Sequence, residues 1–245
     1  MKSVVIGASA GLGRALAEEL AQRGDQLFLV SSNLDDLAPI AADLTLRYGV
    51  SVTVEAADIT TLDPEAFRDK VHAALGPIDN LLLIAGISLL DKDKGPMPPA
   101  DLDRLIAVNF TAPLRIANVF LPDLTQSPAG NFIGAGSVAA VRGRRNNMVY
   151  AAAKRGFECY ADSVRHYLAG QNGAKVQFYR LGYLKTRMTA GQKLPFPALD
   201  PSEAAKSMVA NMGKDLGSVY LPRWWIGIMS LIQALPWALF KKLDI

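Results

Sequence analysis

The beginning of the chain combines a short strand, a glycine-rich turn and an amphipathic helix. Ser3-Val4-Val5-Ile6 is typical of a buried strand, and residues 7–13 follow with glycines at positions 7, 11 and 13. Apolar residues then recur at helical spacing, at Leu12, Leu16, Ala17 and Leu20. A strand that leads through glycines into a helix lets the backbone approach a pyrophosphate at the helix N-terminus. We therefore expect a dinucleotide-binding βα unit, although the same turn also occurs where nothing binds.

Strand and helix patterns alternate along the chain. Strands are predicted at 3–6, 26–31, 51–56, 80–85, 131–136 and 175–180, and helices near 12–23, 34–48, 64–75, 101–121 and 149–170. This alternation predicts a parallel sheet with right-handed crossovers and helices on both faces. With 245 residues, 50% of them hydrophobic, the chain suffices for one α/β domain.

Composition excludes several classes of protein. The formal charge of +3 is too small to indicate a nucleic-acid partner. A single cysteine, Cys159, excludes an internal disulfide, fits a reducing compartment and is predicted to be a small core residue. His72 and His166 are far apart without cysteine partners, so no metal site is predicted. The N-terminal apolar run is short and ends at Gly7, so we expect no signal peptide and a cytoplasmic protein.

A tyrosine and a lysine lie four residues apart in the stretch Tyr150-Ala151-Ala152-Ala153-Lys154. On a helix they share one face. An ammonium group near a phenol lowers the phenol pKa from its usual ~10, which favours proton exchange near neutral pH. Ser137 lies upstream. Taken alone, the tyrosine and the lysine are equally compatible with two residues that only pack and contact solvent.

Together, the glycine turn, Ser137, Tyr150 and Lys154 resemble the short-chain dehydrogenase/reductase family over residues 1 to about 190. The resemblance implies a single-domain, Rossmann-like, doubly wound α/β fold and hydride transfer between a nicotinamide cofactor and a carbonyl or alcohol. It implies that Tyr150 donates a proton, that Ser137 hydrogen-bonds the substrate oxygen and that Lys154 lowers the tyrosine pKa and binds the nicotinamide ribose. Asn109 is implied as the fourth catalytic residue, holding a water that relays protons.

The resemblance also implies a set of cofactor contacts. Asp58 corresponds to the family's adenine-contacting aspartate, and Thr186 to a residue that often holds the nicotinamide carboxamide. Two departures stand out, because Ile6 replaces the usual threonine and Leu83-Ile84 replaces a pair of asparagines, which removes a polar strand contact. The implied contacts are Gly7, Ser9, Gly11, Leu12, Gly13, Arg14, Ser31, Ser32, Asp58, Ile59, Ala85, Gly86, Tyr150, Lys154 and Thr186.

The end of the second strand bears on cofactor choice. An NAD enzyme usually carries an acidic residue about 20 positions beyond the turn, bonded to the ribose hydroxyl. Here the strand ends in Val30-Ser31-Ser32-Asn33, without a carboxylate. Small hydroxyls leave room for a 2′-phosphate, and Arg14 could approach it. The sequence favours NADP(H), with NAD(H) as the alternative.

Two further segments indicate the kind of substrate and partner. Arg142, Arg144 and Arg145 lie between Ser137 and Tyr150, where guanidinium groups suit a phosphate or carboxylate. A nucleotide sugar, a polyprenyl-phosphate sugar or an acyl-carrier phosphopantetheine would fit, and a solvated basic loop is the alternative. Proline-rich residues 191–201 are predicted to be a substrate lid or a plain surface loop. We therefore divide the chain into a core (1–190), a lid region with the last strand (191–222) and a tail (223–245).

The tail contains an uncharged stretch at 224–240, preceded by Arg223 and followed by Lys241 and Lys242. Spanning a bilayer takes about 20 apolar residues, so a full span is not expected. Three interpretations remain open: an interfacial helix with tryptophan anchors and peripheral membrane contact, a subunit-interface helix, or a flap over the substrate. Similar tails occur on family members that reduce keto-sugars on lipid carriers, and the family resemblance implies a homodimer or homotetramer.

The sequence predicts an NADP(H)-dependent carbonyl reductase or alcohol dehydrogenase, and two other functions stay open. One is a catalytically silent dinucleotide-binding sensor or scaffold, which the intact Ser137, Tyr150 and Lys154 argue against. The other is an epimerase or dehydratase that uses the same residues.

Overall fold

Parallel strands form one seven-stranded sheet in the computed structural model, which describes residues 1–89, 92–191 and 193–243. The strand order is β3-β2-β1-β4-β5-β6-β7, and every neighbouring pair is parallel. The strands are β1 (Lys2–Ile6), β2 (Gln26–Ser31), β3 (Val52–Ala56), β4 (Asn80–Leu83), β5 (Asn131–Ser137), β6 (Lys175–Leu181) and β7 (Gly217–Leu221).

Helices connect these strands, and the last two helices follow β7. They are α1 (Gly11–Gln22), α2 (Leu34–Tyr48), α3 (Pro64–Leu75), α4 (Pro99–Ile106), α5 (Ala112–Thr125), α6 (Met148–Gly170), α7 (Pro201–Ala210), α8 (Trp225–Ala234) and α9 (Trp237–Phe240). A π-helical turn, Ala107–Thr111, joins α4 to α5, and a short 3-10 turn, Val138–Ala140, follows β5.

Two hydrophobic cores lie on opposite faces of the sheet. Because side chains alternate along a strand, Val4 and Ile6 of β1 belong to one core and Val5 to the other. The first core includes residues of α3, α5 and α6, and the second includes residues of α1, α2 and α7. The predicted doubly wound, Rossmann-like fold with helices on both faces is therefore confirmed.

The order of the strands reverses beside β1. The chain runs outward from β1 to β2 and β3, and then returns to place β4 on the other side of β1. In open α/β sheets a crevice forms at this switch point, at the carboxyl ends of the strands, and ligands bind there. The glycine turn after β1 and the segment after β4 meet at this crevice.

Several predicted boundaries differ from the structure. Strand β4 ends at Leu83, short of the predicted residue 85, and the predicted helix 101–121 is an α–π–α unit over 99–125. That unit is apolar and long enough to cross a membrane by composition, yet core residues such as Ile116 and Phe120 are buried within the protein. Helix α7 was not predicted, although Asp200, whose side chain accepts from the Ser202 N–H, marks its start.

The prediction that Cys159 is a core residue is wrong, because it lies on the exposed side of α6. The predicted lid and tail also include residues 192, 244 and 245, which lie outside the described residues.

Candidate active site

A cleft of about 900 Å³ opens at the carboxyl ends of the strands. Its walls come from the glycine turn, from the ends of β2, β4, β5 and β6, from the start of α6 and from the predicted lid. Of the residues predicted to contact cofactor, the following line it: Gly7, Ser9, Gly11, Leu12, Gly13, Ser31, Ser32, Asp58, Ile59, Ala85, Gly86, Tyr150, Lys154 and Thr186. This volume is at the upper end of ordinary ligand sites.

The glycine turn packs against the backbone and leaves no room for side chains. Gly7 has φ 94°, and a Cβ there would lie 2.7 Å from the backbone nitrogen of Ala85. A Cβ on Gly13 would overlap the carbonyl oxygen of Gly7. Helix α1 starts after Ala10, which offers no side-chain cap. The first turn of α1 lines the cleft at Gly11, Leu12 and Gly13, and the N–H groups at a helix N-terminus suit an anionic ligand.

At the end of β2 the cleft floor is formed by small hydroxyl residues. Ser31 and Ser32 both line the cleft, whereas Arg14 is exposed and does not. Across the cleft, Asp58 accepts hydrogen bonds from the Thr60 N–H (2.9 Å) and hydroxyl (2.7 Å). These bonds hold the pKa of the Asp58 carboxyl below its usual value. The predicted role for Arg14 thus gains no support from its position.

Three of the four predicted catalytic residues converge on the cleft. Ser137 ends the central strand β5, and its hydroxyl accepts from the Ala139 N–H at 3.1 Å. Tyr150 lies in the first turn of α6, and Lys154 lies one turn later on the same face. The Lys154 ammonium is buried and donates to the carbonyl oxygen of Ala135 at 3.0 Å.

The electrostatics differ from the prediction in one respect. Burial raises the pKa of the Tyr150 phenol above its usual value, and the hydrogen bond with Ser137 lowers it by less. Burial lowers the pKa of the Lys154 ammonium to about 8. Desolvation therefore determines the direction of both pKa shifts, and the tyrosine pKa rises where the sequence predicted that lysine would lower it. The phenol stays protonated at neutral pH, while the lysine titrates close to it.

Asn109, the fourth predicted catalytic residue, lies behind the cleft wall. Its side chain is fully buried in the π turn, donates to the carbonyls of Ile87 (2.9 Å) and Leu105 (3.0 Å), and accepts from the Ile87 N–H at 3.2 Å. A Cβ on Gly86 would lie 2.8 Å from Asn109 Oδ1 and 3.1 Å from Lys154 Nζ. Asn109 and Lys154 thus meet at Gly86, and the close backbone approach expected at Ala85-Gly86 is present.

The basic segment after β5 does not act as one cluster. Arg142 donates to the carbonyl oxygens of Ile232, Gln233 and Leu235 at the end of α8 and stacks on the Phe240 ring. Its guanidinium therefore fixes the tail. Arg145 is exposed and also reaches the tail. The structure places Arg144 alone of the three in the cleft wall. Of the three arginines considered for a phosphate or carboxylate, Arg142 and Arg145 therefore bond the tail.

The tail packs beside the part of the cleft that Ser137 lines. Trp225 and Met229 of α8 are buried against Val138, which follows Ser137 directly. Phe196, next to cleft-lining Pro195, contacts the rings of Trp224 and Trp225 with centroids 5.9 and 5.0 Å away. The tail therefore contacts both the segment after β5 and the predicted lid.

Two residues with a clear place in the site were not predicted from the sequence. Asp93 is fully buried, and its carboxylate accepts from the N–H groups of Val149 (3.0 Å) and Tyr150 (2.9 Å). It therefore caps the helix that carries Tyr150 and Lys154. Arg187 lines the cleft and approaches Asp36 in the first turn of α2, with 3.7 Å between Nη2 and Oδ2. Neither pairing has a sequence signal, because both join distant loops.

Comparisons with known proteins agree with this geometry. A family profile described as short chain dehydrogenase matches residues 2–194. An uncharacterized oxidoreductase of Staphylococcus epidermidis is 32% identical over 192 residues, which cover 77% of this chain and 80% of that protein. Another, from Myxococcus xanthus, is 28% identical over 241 residues, covering 97% and 94%.

Solved structures share the fold. The short-chain dehydrogenase from Sphingobium yanoikuyae in complex with NADPH superposes with a TM-score of 0.80 at 24% identity, covering 97% of both chains. Fold, glycine turn and the match over residues 2–194 lead to one conclusion: this chain belongs to the short-chain dehydrogenase family and is an oxidoreductase.

Proposed function

We propose that the protein reduces a carbonyl compound with NADP(H), and that Tyr150 donates the proton. The observation that carries the proposal is the position of Ser137, Tyr150 and Lys154 on the wall of the cleft that also holds the glycine turn. The proposed proton donor, the hydroxyl that would bind the substrate oxygen, and the glycine turn that would bind the dinucleotide therefore line one cavity. Hydride and proton can therefore reach the same carbonyl group.

The groups of the chain have distinct roles in this reaction. A bound reduced nicotinamide supplies a hydride to the carbonyl carbon. As the electron pair of the C=O bond moves to oxygen, Tyr150 donates its phenolic proton to that oxygen, which completes the alcohol. The Ser137 hydroxyl hydrogen-bonds the same oxygen and stabilises its developing charge. Oxidation of an alcohol follows the same steps in reverse.

Lys154 has the right pKa to restore the tyrosine. A group with a pKa of about 8 gives and takes protons readily near neutral pH. We propose that Lys154 returns the proton to Tyr150 and binds the nicotinamide ribose. Asn109 Oδ1 accepts one hydrogen bond, from Ile87, and an amide oxygen has two lone pairs. The second lone pair supports the proposed water between Asn109 and Lys154.

The site fits a dinucleotide. The first turn of α1 has no side-chain cap, and the crowding around Gly7 and Gly13 leaves the backbone as the surface that a pyrophosphate would contact. Two solved neighbours with the same fold hold NADPH and 5-hydroxy-NADP. We propose NADP(H), because Ser31 and Ser32 line the cleft without a carboxylate beside them. NAD(H) remains the alternative.

Arg187 is a better candidate than Arg14 for the 2′-phosphate, because it lines the cleft and already meets a carboxylate near Ser32. A Ser32→Asp variant tests the preference. A carboxylate there repels the 2′-phosphate and accepts from a ribose hydroxyl, so the ratio of KM for NADPH to KM for NADH should rise at least about tenfold, or 1.4 kcal/mol. An unchanged ratio would contradict the assignment of the NADP site.

The function itself is tested by following NADPH absorbance with a panel of neutral and acidic ketones and identifying the products. We expect an alcohol in equal amount to the NADPH consumed. NADPH binding without turnover of any ketone would support the silent sensor or scaffold. Conversion of a substrate without net loss of NADPH would support an epimerase or dehydratase.

We also propose that the tail contacts an anionic membrane surface. Trp224, Leu231 and Trp237 are exposed by 44%, 66% and 68%, although they are large and apolar, and exposed Lys241 and Lys242 follow them. Exposed tryptophans beside basic residues suit a bilayer interface. The same face would suit a subunit contact in the homodimer or homotetramer that the family resemblance implies.

A Leu231→Gln/Trp237→Gln double variant changes this surface and leaves buried Trp225 and Met229 in place. The wild type should float with vesicles that contain phosphatidylserine, and the variant should not. Failure of both to float would overturn the membrane proposal. A loss of dimer mass in the variant would instead assign the surface to a subunit contact.

A further inference from the structure

The loop between Ser137 and Tyr150 holds two buried polar atoms that lack a hydrogen-bond partner in the described part of the chain. They are Arg144 Nε and Asn147 Oδ1. A buried polar atom without a partner is costly, and such atoms are rare in native proteins. Both residues line the cleft. The protein therefore leaves a cation and an amide unpaired at the substrate end of its site.

Neighbouring groups do not neutralise Arg144. Asp58 and Asp103 also line the cleft, yet within residues 1–89, 92–191 and 193–243 neither forms an ion pair with Arg144. Arg142 and Arg145, close in sequence, bond carbonyl oxygens of the tail. The Arg144 guanidinium therefore lies in the cleft wall with no ion pair in the described part of the chain.

The lining of the cleft as a whole carries more cationic than anionic side chains. Besides Lys154, the lining carries Arg104, Arg144, Arg187 and Lys193 against the carboxylates of Asp58 and Asp103. Arg187 approaches Asp36, near the end of β2, which is the adenosine end of the proposed dinucleotide site. Arg144 instead lies between Ser137 and Tyr150 in the chain. Its charge therefore serves the substrate more readily than the cofactor.

The position of this pair relative to Tyr150 is fixed. Asn147 has φ 63° and directly precedes α6, and its N–H donates to the carbonyl oxygen of Asp93 at 2.6 Å. The carboxylate of the same Asp93 holds the N–H groups of Val149 and Tyr150. One buried residue therefore ties the Asn147 backbone and the proton donor together, so a ligand held by Asn147 has a defined distance to the phenol.

We propose that Arg144 and Asn147 bind an oxyanion of the substrate, a carboxylate or a phosphate, with a hydroxyl group beside it. Arg144 pairs with the anion, and the Asn147 amide accepts from the hydroxyl. The substrate class is therefore a hydroxylated anionic carbonyl compound. This inference rests on the proposed function, because it places the anion in the same cleft as the proton donor.

The test compares matched hydroxyketones with and without charge: hydroxyacetone phosphate against hydroxyacetone, and 5-hydroxy-4-oxopentanoate against its methyl ester. For the wild type we expect a lower KM for the anion of at least one pair, and that pair identifies phosphate or carboxylate. Arg144→Met should raise the ratio of anionic to neutral KM about 10–100-fold, because charge-assisted hydrogen bonds contribute about 1.5–3 kcal/mol. Arg144→Lys should recover part of it. Arg145→Met removes the same charge outside the cleft wall and should leave the ratio unchanged.

A binding measurement separates this inference from the reaction. Calorimetry of glycerol 3-phosphate and of 4-hydroxypentanoate with the NADPH-loaded protein needs no turnover, and Arg144→Met should weaken the binding of one of them at least tenfold. If the wild type prefers neither anion, or if Arg144→Met and Arg145→Met act alike, the inference is overturned while the reductase proposal stands. If the anions bind through Arg144 but no ketone is reduced, the reductase proposal fails instead.

Discussion

The two ends of the cleft are built in different ways. At the dinucleotide end the wall is mostly backbone, formed by the glycine turn of residues 7–13 packed against Ala85. At the proposed substrate end the wall is made of side chains from two distant segments, residues 138–147 and the predicted lid, and the tail packs behind them. At the first end, the shape of the wall depends on glycines, which have no side chain. At the second end, it depends on which side chains already bond other parts of the chain.

This difference explains which residues tolerate change. No other residue can replace Gly7 or Gly13 without strain, because a Cβ at either position would contact main-chain atoms. At the substrate end, one arginine is bound by the tail while another two positions on is unpaired in the cleft. Substitutions at the first end should therefore affect folding and cofactor binding together. Those at the second end should affect the tail or the substrate separately.

The largest effect is expected for Gly13→Ala. The new methyl group overlaps the Gly7 carbonyl oxygen, so α1 must move away from β1. We expect a loss of at least about 3 kcal/mol of unfolding free energy, together with the loss of NADPH binding. Urea unfolding and NADPH fluorescence titration measure the two effects. Gly170→Ala, in α6 with no atom within 4 Å of the new Cβ, is the control and should change stability by less than about 1 kcal/mol.

The next effect concerns α6, which carries Tyr150 and Lys154. Burial lowers the pKa of Lys154 from 10.5 to about 8, so the folded state binds its proton less tightly than the unfolded state does. The charge therefore destabilises the protein fully below pH 8, by about 3 kcal/mol, and this cost disappears as the pH rises towards 10.5. Lys154→Met should accordingly gain stability over the wild type at pH 7, and the gain should shrink by pH 10.

Thermal unfolding of both proteins across this range measures the gain, and the other ionisable groups cancel in the difference. A gain that is independent of pH would show that the Lys154 ammonium is not desolvated in the folded protein.

The smallest effect is expected for Arg142→Met. This change removes the donor to the carbonyl oxygens of Ile232, Gln233 and Leu235, and it removes the cation over the Phe240 ring. The tail should loosen locally by about 1–2 kcal/mol while the sheet keeps its stability. Hydrogen exchange by mass spectrometry should show faster exchange in α8 and α9 and unchanged exchange in β1 and β4. Equal exchange in α8 would refute the role of Arg142 as a tail anchor.

The sequence predicts the elements around the glycine turn well for a physical reason. Strand, glycine turn and helix are contiguous, so their local pattern determines their structure, and 14 of the 15 predicted cofactor residues line the cleft, with Arg14 as the exception. The positions of Ser137, Tyr150 and Lys154 could be predicted in the same way. Ser137 ends a strand, and Tyr150 and Lys154 lie in the first turns of the helix that follows. Contacts between distant segments were not predictable: Arg142 with α8, Asp93 with the start of α6, and Arg187 with Asp36.

The sequence also does not predict the net pKa shift that results from opposing effects. The spacing of Tyr150 and Lys154 indicates a favourable charge interaction, but it does not show how deeply both groups are buried. In the folded protein desolvation dominates, and it raises the tyrosine pKa and lowers the lysine pKa.

The most direct test of the account is a single-turnover experiment with Tyr150→Phe. The variant keeps the ring and loses the phenolic proton, so NADPH should bind within about threefold of the wild-type affinity. The rate of NADPH oxidation by a ketone substrate should fall at least about 100-fold, as expected for loss of a general acid. Turnover within tenfold of the wild type would contradict the assignment of Tyr150 as the proton donor.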